Sequence, residues 1–281
     1  MDRRGLETTT RSVYVSTRTM GFARSWAELW HEREVVRAFA ARSLRVRYRQ
    51  AVLGIGWAVV QPLALLVPFA VFLRKTNGRP GGVPYAASTL AALVAWTFLS
   101  GAVTNGAGAL VAESVLVRKT WFPREAPVIA AMLAALVDLA LGLVMVAIVG
   151  PFLGARIGRS IVWLPVVVLA LAFVATAIAI PLAALNALYR DVRHALAFVM
   201  LLWLFLSPVA YPLDRLAPGR RVVMAFANPA TGPLDAFRRI VAEGRAPQVG
   251  LLAASCASAL VIGLVGHGAF RRLAPLLPDL I

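Results

Sequence analysis

Six stretches of this 281-residue chain are apolar over about the length a bilayer demands: 51-73, 85-105, 127-149, 161-185, 195-211 and 248-270. A helix needs about 20 such residues to span the hydrocarbon. No water is available there, so each backbone N–H and C=O must be satisfied within the segment, and for single runs of this length that means an α-helix. The chain therefore reads as an all-α integral membrane protein with six transmembrane helices. The fifth run is the shortest and is separated from the fourth only by the polar turn NALYRDVRH. With 60% hydrophobic residues and a mean hydropathy of +0.76, the chain lies well beyond a soluble domain. No internal repeat and no separate soluble unit is visible. Three regions follow: an N-terminal segment 1-50, a transmembrane domain 51-270 and a tail 271-281.

The net charge of +16 comes almost wholly from arginine, since Lys75 and Lys119 are the only lysines. Many of these arginines edge the apolar runs, where they hold anionic headgroups and set orientation. The first 25 residues are polar and basic with no apolar core, so no cleavable signal peptide is expected there. With both termini cytoplasmic, the inner segments carry 18 of the 29 Lys and Arg, and this is the expected orientation. Ahead of the first run, Trp26, Leu29, Trp30, Val36, Phe39, Ala40 and Leu44 recur at helical spacing between charged residues. That pattern predicts an amphipathic helix lying in the membrane interface. The outer segment 212-247 is broken by Pro212, Pro218, Pro229, Gly232 and Pro233 and holds the amphipathic piece PLDAFRRIVAE. It is either a solvated loop or a set of short re-entrant helices able to act as a gate over a pore mouth.

Several chemistries are excluded. Asp138 is the one acidic residue inside the six runs, so no intramembrane carboxylate pair exists for acid and base work. His31, His194 and His267 are scattered, Cys256 lies alone in an apolar run, and no GxxxxGK[ST] loop occurs. No cofactor or metal is expected on this chain, and any nucleotide must be bound by another subunit. Asp138, near the middle of the third run, costs about 2.5 to 3.5 kcal/mol if it faces lipid. It is expected to face protein, as a helix-to-helix hydrogen bond rather than a proton relay.

Four segments together carry a resemblance: RYRQAVLGIGWAVVQP (47-62), LVRKTWFPREAP (116-127), LNALYRDVRHALAFVMLLWLFLSPVAYP (185-212) and NPATGPLDAFRR (228-239). In this order and spacing the chain resembles the permease subunits of ABC-2 type exporters for polysaccharides and polyol phosphates, a family that covers O-antigen, capsule, teichoic acid and cell-wall galactan export. The resemblance implies two copies of this chain in the cytoplasmic (inner) membrane, with two ATP-binding subunits that hold ATP and Mg. The implied substrate is a glycan on a polyprenyl diphosphate lipid, fed through a continuous channel. Besides membrane lipids no further partner is implied, and no nucleic acid.

The resemblance also assigns residues. The loop 106-126 becomes the coupling element, with Glu113, Arg118, Lys119, Trp121, Phe122 and Arg124 as the contact with the ATP-binding subunit. Arg190 and Asp191 either join that contact or form a self-contained salt-bridged turn. Phe198, Trp203 and Phe205 on the fifth run offer rings on which sugars stack, and Tyr211 fits an interfacial belt. Arg45, Arg47 and Arg49 lie at headgroup depth, where their guanidinium forks suit a lipid diphosphate and equally an ordinary anionic lipid. Trp57 and Gln61 would line the channel, because a Gln about 15 Å into a span wants a wet surface or a partner helix; Pro62 beside it can kink the helix. A polytopic glycosyltransferase would need acidic or histidine residues clustered at one face, and a secondary transporter would show repeated halves. Neither pattern is present.

Overall fold

The computed structural model describes residues 29–49, 54–73, 85–120, 122–209 and 211–277. Among them all regular structure is helical: α1 (Arg33–Arg49), α2 (Trp57–Leu73), α3 (Tyr85–Ala112), α4 (Ser114–Lys119), α5 (Ala126–Val149), α6 (Leu164–Leu188), α7 (Val192–Leu206), α8 (Pro218–Ala227), α9 (Thr231–Val241) and α10 (Val249–Leu273). Four helical stretches, Tyr85–Ala112, Ala126–Val149, Arg159–Leu188 and Val249–Leu276, are long and apolar enough to cross a membrane. The first and fifth runs form the shorter α2 and α7, of 17 and 15 residues.

At the centre stands α3, with α5 and α6 packed along it and α2, α7 and α9 against its remaining surface. Its sequence is rich in Ala, Gly, Ser and Thr, which lets neighbouring helices approach closely where lipid gives no hydrophobic drive to associate. Two glycines mark the tightest approaches. A Cβ on Gly106 of α3 would stand 2.8 Å from Ala179 Cβ of α6, and one on Gly142 of α5 would stand 2.6 Å from Val94 of α3. α10 closes the far side of the bundle against α6, α8 and α9.

The loop 106-126 is helical over most of its length: α3 continues to Ala112, breaks at Glu113 and is followed by α4. The amphipathic N-terminal helix does not lie flat across the bundle. α1 runs beside α5 in the same direction, from Phe39 at Phe122 (ring centroids 5.3 Å apart) to Arg47 at Asp138. Leu29, Val36 and Phe39 are buried by protein, while Trp30 is exposed. Val36 and Phe39 on its apolar side are covered by α5 and the loop before α5. Trp26 lies outside the described residues.

The segment after α7 turns back into the bundle. Every residue of α9 is buried, in contact with α3, α6 and α10. Its start is pinned by a hydrogen bond from the Gly232 N–H to Ser255 Oγ at 2.8 Å. Its end is clasped by the loop after α5: the Arg156 N–H donates to the Ala242 carbonyl at 2.8 Å, beside Gly244, whose φ of +64° favours glycine.

Candidate functional site

α1 has its charges sorted by face. Arg42, Arg45 and Arg49 fall at i, i+3 and i+7, so they share one side of the helix, and all three are exposed. With Val46 they rim a hollow of about 570 Å³. Arg47, one step around, points the other way: its guanidinium and the Tyr48 hydroxyl both donate to the Asp138 carboxylate. Burial, and then the Asp138 hydrogen bond, push the Tyr48 phenol up to about 12, so the hydroxyl stays a donor. This corrects the expected trio. Arg47 neutralises Asp138 instead of facing outward, and Arg42, which was not singled out, joins Arg45 and Arg49. The signal was available in the spacing, because 45, 47 and 49 cannot share a helical face whereas 42, 45 and 49 do.

A second cavity, of about 400 Å³, lies between α1, α3 and α5 and shares Arg42 and Val46 with the hollow. Its further walls mix the apolar Phe39, Ala109, Pro127 and Ala131 with the polar Ser43, Arg47, Asn105 and Glu113. Arg42 also reaches Glu113, Nη1 to Oε2 at 2.8 Å. Glu113 stands at the break between α3 and α4, where its carbonyl accepts the N–H groups of Leu116 and Val117 at 2.9 Å.

Around α4 the expected contact set divides. Arg118 and Lys119 are exposed beside Val115, forming an outward face. Phe122 is corrected: its ring is buried against Phe39, with the Arg124 guanidinium 5.0 Å above it, so it anchors the loop internally. Burial destabilises the charged form of Arg124, and its Nη1 is buried with no hydrogen-bond partner among the described residues. Trp121 lies outside the described residues. Arg190 and Asp191 are exposed and make no ion pair among the described residues; the turn is held by backbone, with the His194 and Ala195 N–H groups donating to the Asp191 carbonyl at 3.1 and 2.9 Å. That removes the salt-bridged form of the turn.

On α2, Trp57, Val60, Gln61, Ala64, Val67, Pro68 and Val71 make one exposed stripe. α7 lies alongside at one end, Phe69 stacking on Phe205 with centroids 6.0 Å apart, and Phe198 is 62% exposed. Trp203 is corrected from a wall residue to a packing residue. It meets Trp96 edge to face at 5.6 Å, and its Nε1–H donates to Asn228 Oδ1 at 2.9 Å. Asn228 in turn donates to Ser207 Oγ at 3.1 Å, so the indole ties α7 to the start of α9.

The largest feature beyond the reach of sequence reasoning is an ionic cluster centred on α9, buried at Asp235, Arg238, Arg239 and Glu243 and open to the surface at Asp214. Asp235 accepts from Arg238, and from Arg239 at 2.6 Å; Arg239 also donates to Asp214 at 2.5 Å. Arg238 lies 3.7 Å from Glu243 and donates to the Tyr211 carbonyl at 3.1 Å. Arg221 of α8 reaches Asp214 at 3.5 Å, so three carboxylates face three guanidiniums. The pattern Asp235, Arg238, Arg239 is legible as i, i+3 and i+4 pairing, but in sequence it reads as a solvated face. No group of three or more His, Cys, Asp or Glu suited to a metal ion occurs among the described residues.

Long apolar helices around a core of small residues, with a basic helix at one end and a charge-paired short helix at the other, define a helical integral membrane protein. The chain belongs to the ABC-2 type transporter family, which residues 34–241 match. It is 28% identical over 237 residues to the O-antigen export system permease protein RfbA of Myxococcus xanthus, covering 84% of this chain and 90% of that protein. It is also 24% identical over 205 residues to a protein of the same name from Klebsiella pneumoniae, covering 72% and 78%.

Proposed function

We propose that this chain is the membrane-spanning subunit of an exporter that moves a polysaccharide on a polyprenyl diphosphate lipid across the cytoplasmic membrane, driven by ATP hydrolysis in a partner subunit. The glycan is of the O-antigen or cell-wall galactan type. Two copies of the chain work with two ATP-binding subunits, α2 and α7 count as spans to make six, and both termini face the cytoplasm. In this reading α4 meets the ATP-binding subunit through Val115, Arg118 and Lys119. Trp57, Gln61 and Phe198 belong to the glycan path, and α8 and α9 form the outer gate. The chain itself performs no catalysis and binds no cofactor.

The observation that carries the reading is the ABC-2 match over 34–241, joined to relatives named as O-antigen export permeases of which this chain covers up to 90%. The test is co-expression with a candidate ATP-binding subunit from the same genome. The pair is expected to co-purify and to hydrolyse ATP in a vanadate-sensitive manner, and failure to associate overturns the reading. Reconstituted vesicles supplied with defined lipid-linked glycans then identify the polymer.

A further inference from the structure

We propose that the groove between α6 and α10 is a binding site for one anionic glycerophospholipid, with an acyl chain lying in the groove and the phosphate at Arg271. The two helices touch along a line of small residues. A Cβ on Gly263 would stand 3.2 Å from Ala177 Cβ, and one on Gly266 would stand 2.7 Å from Pro181 Cγ. Larger side chains flank that line: Phe173 of α6 is 40% exposed, and Leu260 and Leu264 of α10 are 49% and 50% exposed. Between them lies a furrow of about 70 Å³, whose walls are completed by the buried Thr176, Ile180 and His267. Such a site requires only that the chain spans a membrane, whatever it exports.

The lining selects the occupant. α10 is the least buried of the four long spans, and Val261 and Val265 beside the groove are exposed as well. The groove therefore opens onto hydrocarbon and takes an apolar group. Its volume is under half of the roughly 150 Å³ that admits a benzene ring, which suits a linear polymethylene chain better than a ring lipid. Thr176 makes no polar demand on that chain, because its hydroxyl already donates to the Ala172 carbonyl at 2.8 Å.

The polar end of the groove gives the lipid a direction. Leu260, Leu264, His267 and Arg271 follow one another at i, i+4, i+7 and i+11, so they share one side of α10. The His267 imidazole stands 3.8 Å from Glu125, a polar contact that hydrocarbon does not cross, so the acyl chain ends there and the glycerol begins. Arg271 is one turn further, about 6 Å along the axis. It is partly buried and has no carboxylate partner among the described residues; Arg272 follows it, exposed and likewise without an acid. Two guanidiniums without an acid of their own complement an anion, and each fork matches phosphate oxygens two at a time. A lipid held against both helices binds the assembled bundle and not the separated helices, so it stabilises the folded chain by mass action.

The test uses the full-length permease, delipidated in detergent and titrated with phosphatidylglycerol or phosphatidylcholine, with bound lipid counted by native mass spectrometry. One phosphatidylglycerol per chain is expected to be retained. Phosphatidylcholine is expected to bind about tenfold or more weakly, and the Arg271→Gln, Arg272→Gln double variant to lose phosphatidylglycerol by a similar factor, as expected for the loss of charge-assisted contacts. Glycerol 3-phosphate, which carries the charge without the chains, is expected not to displace the lipid at equal concentration. A further arm needs no substitution: phosphatidylglycerol bearing a diazirine on one acyl chain is expected, on irradiation of the wild type, to label 173–180 and 260–267. Equal binding of the two lipids overturns the site, as does undiminished binding by the double variant or displacement by glycerol 3-phosphate. Label spread evenly over the exposed faces of α5 and α10 overturns it too. All of these are read on the permease alone, so a chain that holds the lipid and exports nothing overturns the export reading and leaves the site standing.

Discussion

Asp138 sits near the middle of α5, about 18 Å along the helix from its start, and is half-buried together with Arg47. Alone it would be costly at that depth. With one guanidinium and one phenol donating to it, the charge is neutralised and both carboxylate oxygens are occupied. Asp138→Asn removes the ionic half of this contact and is expected to lower stability in detergent by about 2 kcal/mol, the range for a hydrogen bond to a charged group. The double variant Arg47→Met, Asp138→Leu is expected to cost less than the two single variants together, because both charges leave at once; thermal unfolding of the wild type, Arg47→Met, Asp138→Leu and the double gives the coupling. Tyr48 adds a pH signature. Its pKa is raised when folded, from 10.0 to about 12, by burial and by Asp138. Its contribution is therefore complete below about 10 and is lost as pH rises through about 12. In an alkaline ultraviolet titration, Tyr48→Phe is expected to remove the phenol that ionises at the high end. That Asp138 needed a protein partner could be argued from sequence. Which partner it has could not, because α1 and α5 are brought together only by the fold.

Two helices at opposite ends of the bundle show how an element's setting overrides its pattern. α9 has a strongly amphipathic sequence, yet both its sides are buried, and the charged side is covered because Asp214, Asp235 and Glu243 balance Arg221, Arg238 and Arg239. Such a cluster contributes little while intact, but breaking one member strands a charge away from water. Arg238→Met, which takes one of the two guanidiniums from the buried Asp235, is expected to cost about 3 to 5 kcal/mol and to loosen α9. The readouts are thermal unfolding and faster hydrogen exchange over 231–241. At the other end, Phe122 joins α1 to the loop before α5. Phe122→Ala empties the space between Phe39 and Arg124 and is expected to cost about 3 kcal/mol, with exchange rising in α1 as well as in the loop. A residue that served only as an outward contact would leave α1 unchanged. Here sequence placed both elements to within a few residues and identified their apolar sides. It misjudged what covers them, since hydrophobic periodicity says that a face is buried and not by what.

Across the whole molecule, one exposed polar group stands out on the apolar stripe of α2. Gln61 lies between Trp57, Ala64 and Pro68 on a surface that this single chain does not cover. If that stripe lines a wet path, Gln61→Cys in a Cys256→Ala background is expected to react with a water-soluble maleimide at least about tenfold faster than a cysteine placed at Val261 of α10, an exposed apolar site. The comparison is licensed by the rarity of polar groups facing lipid. Equal and slow labelling at both positions would place Gln61 against hydrocarbon or a partner helix. Gln61→Leu is likewise expected to lower export without lowering stability.

What this sequence determined by itself is the solvent and the class. Runs of about 20 apolar residues commit the chain to membrane helices through backbone hydrogen bonding alone. The ordered segments around Arg47, Trp121, Asp191 and Asn228 carried the family. Tertiary structure alone decided the assignments within it: Arg47 to Asp138 and Arg42 to the open hollow, Phe122 and Trp203 to packing, and the charges of α9 to one another. The physical reason is range. Hydrogen-bond satisfaction and helical period are local and act along the chain, whereas the pairing of a charge depends on which distant residue the packing brings within about 3 Å.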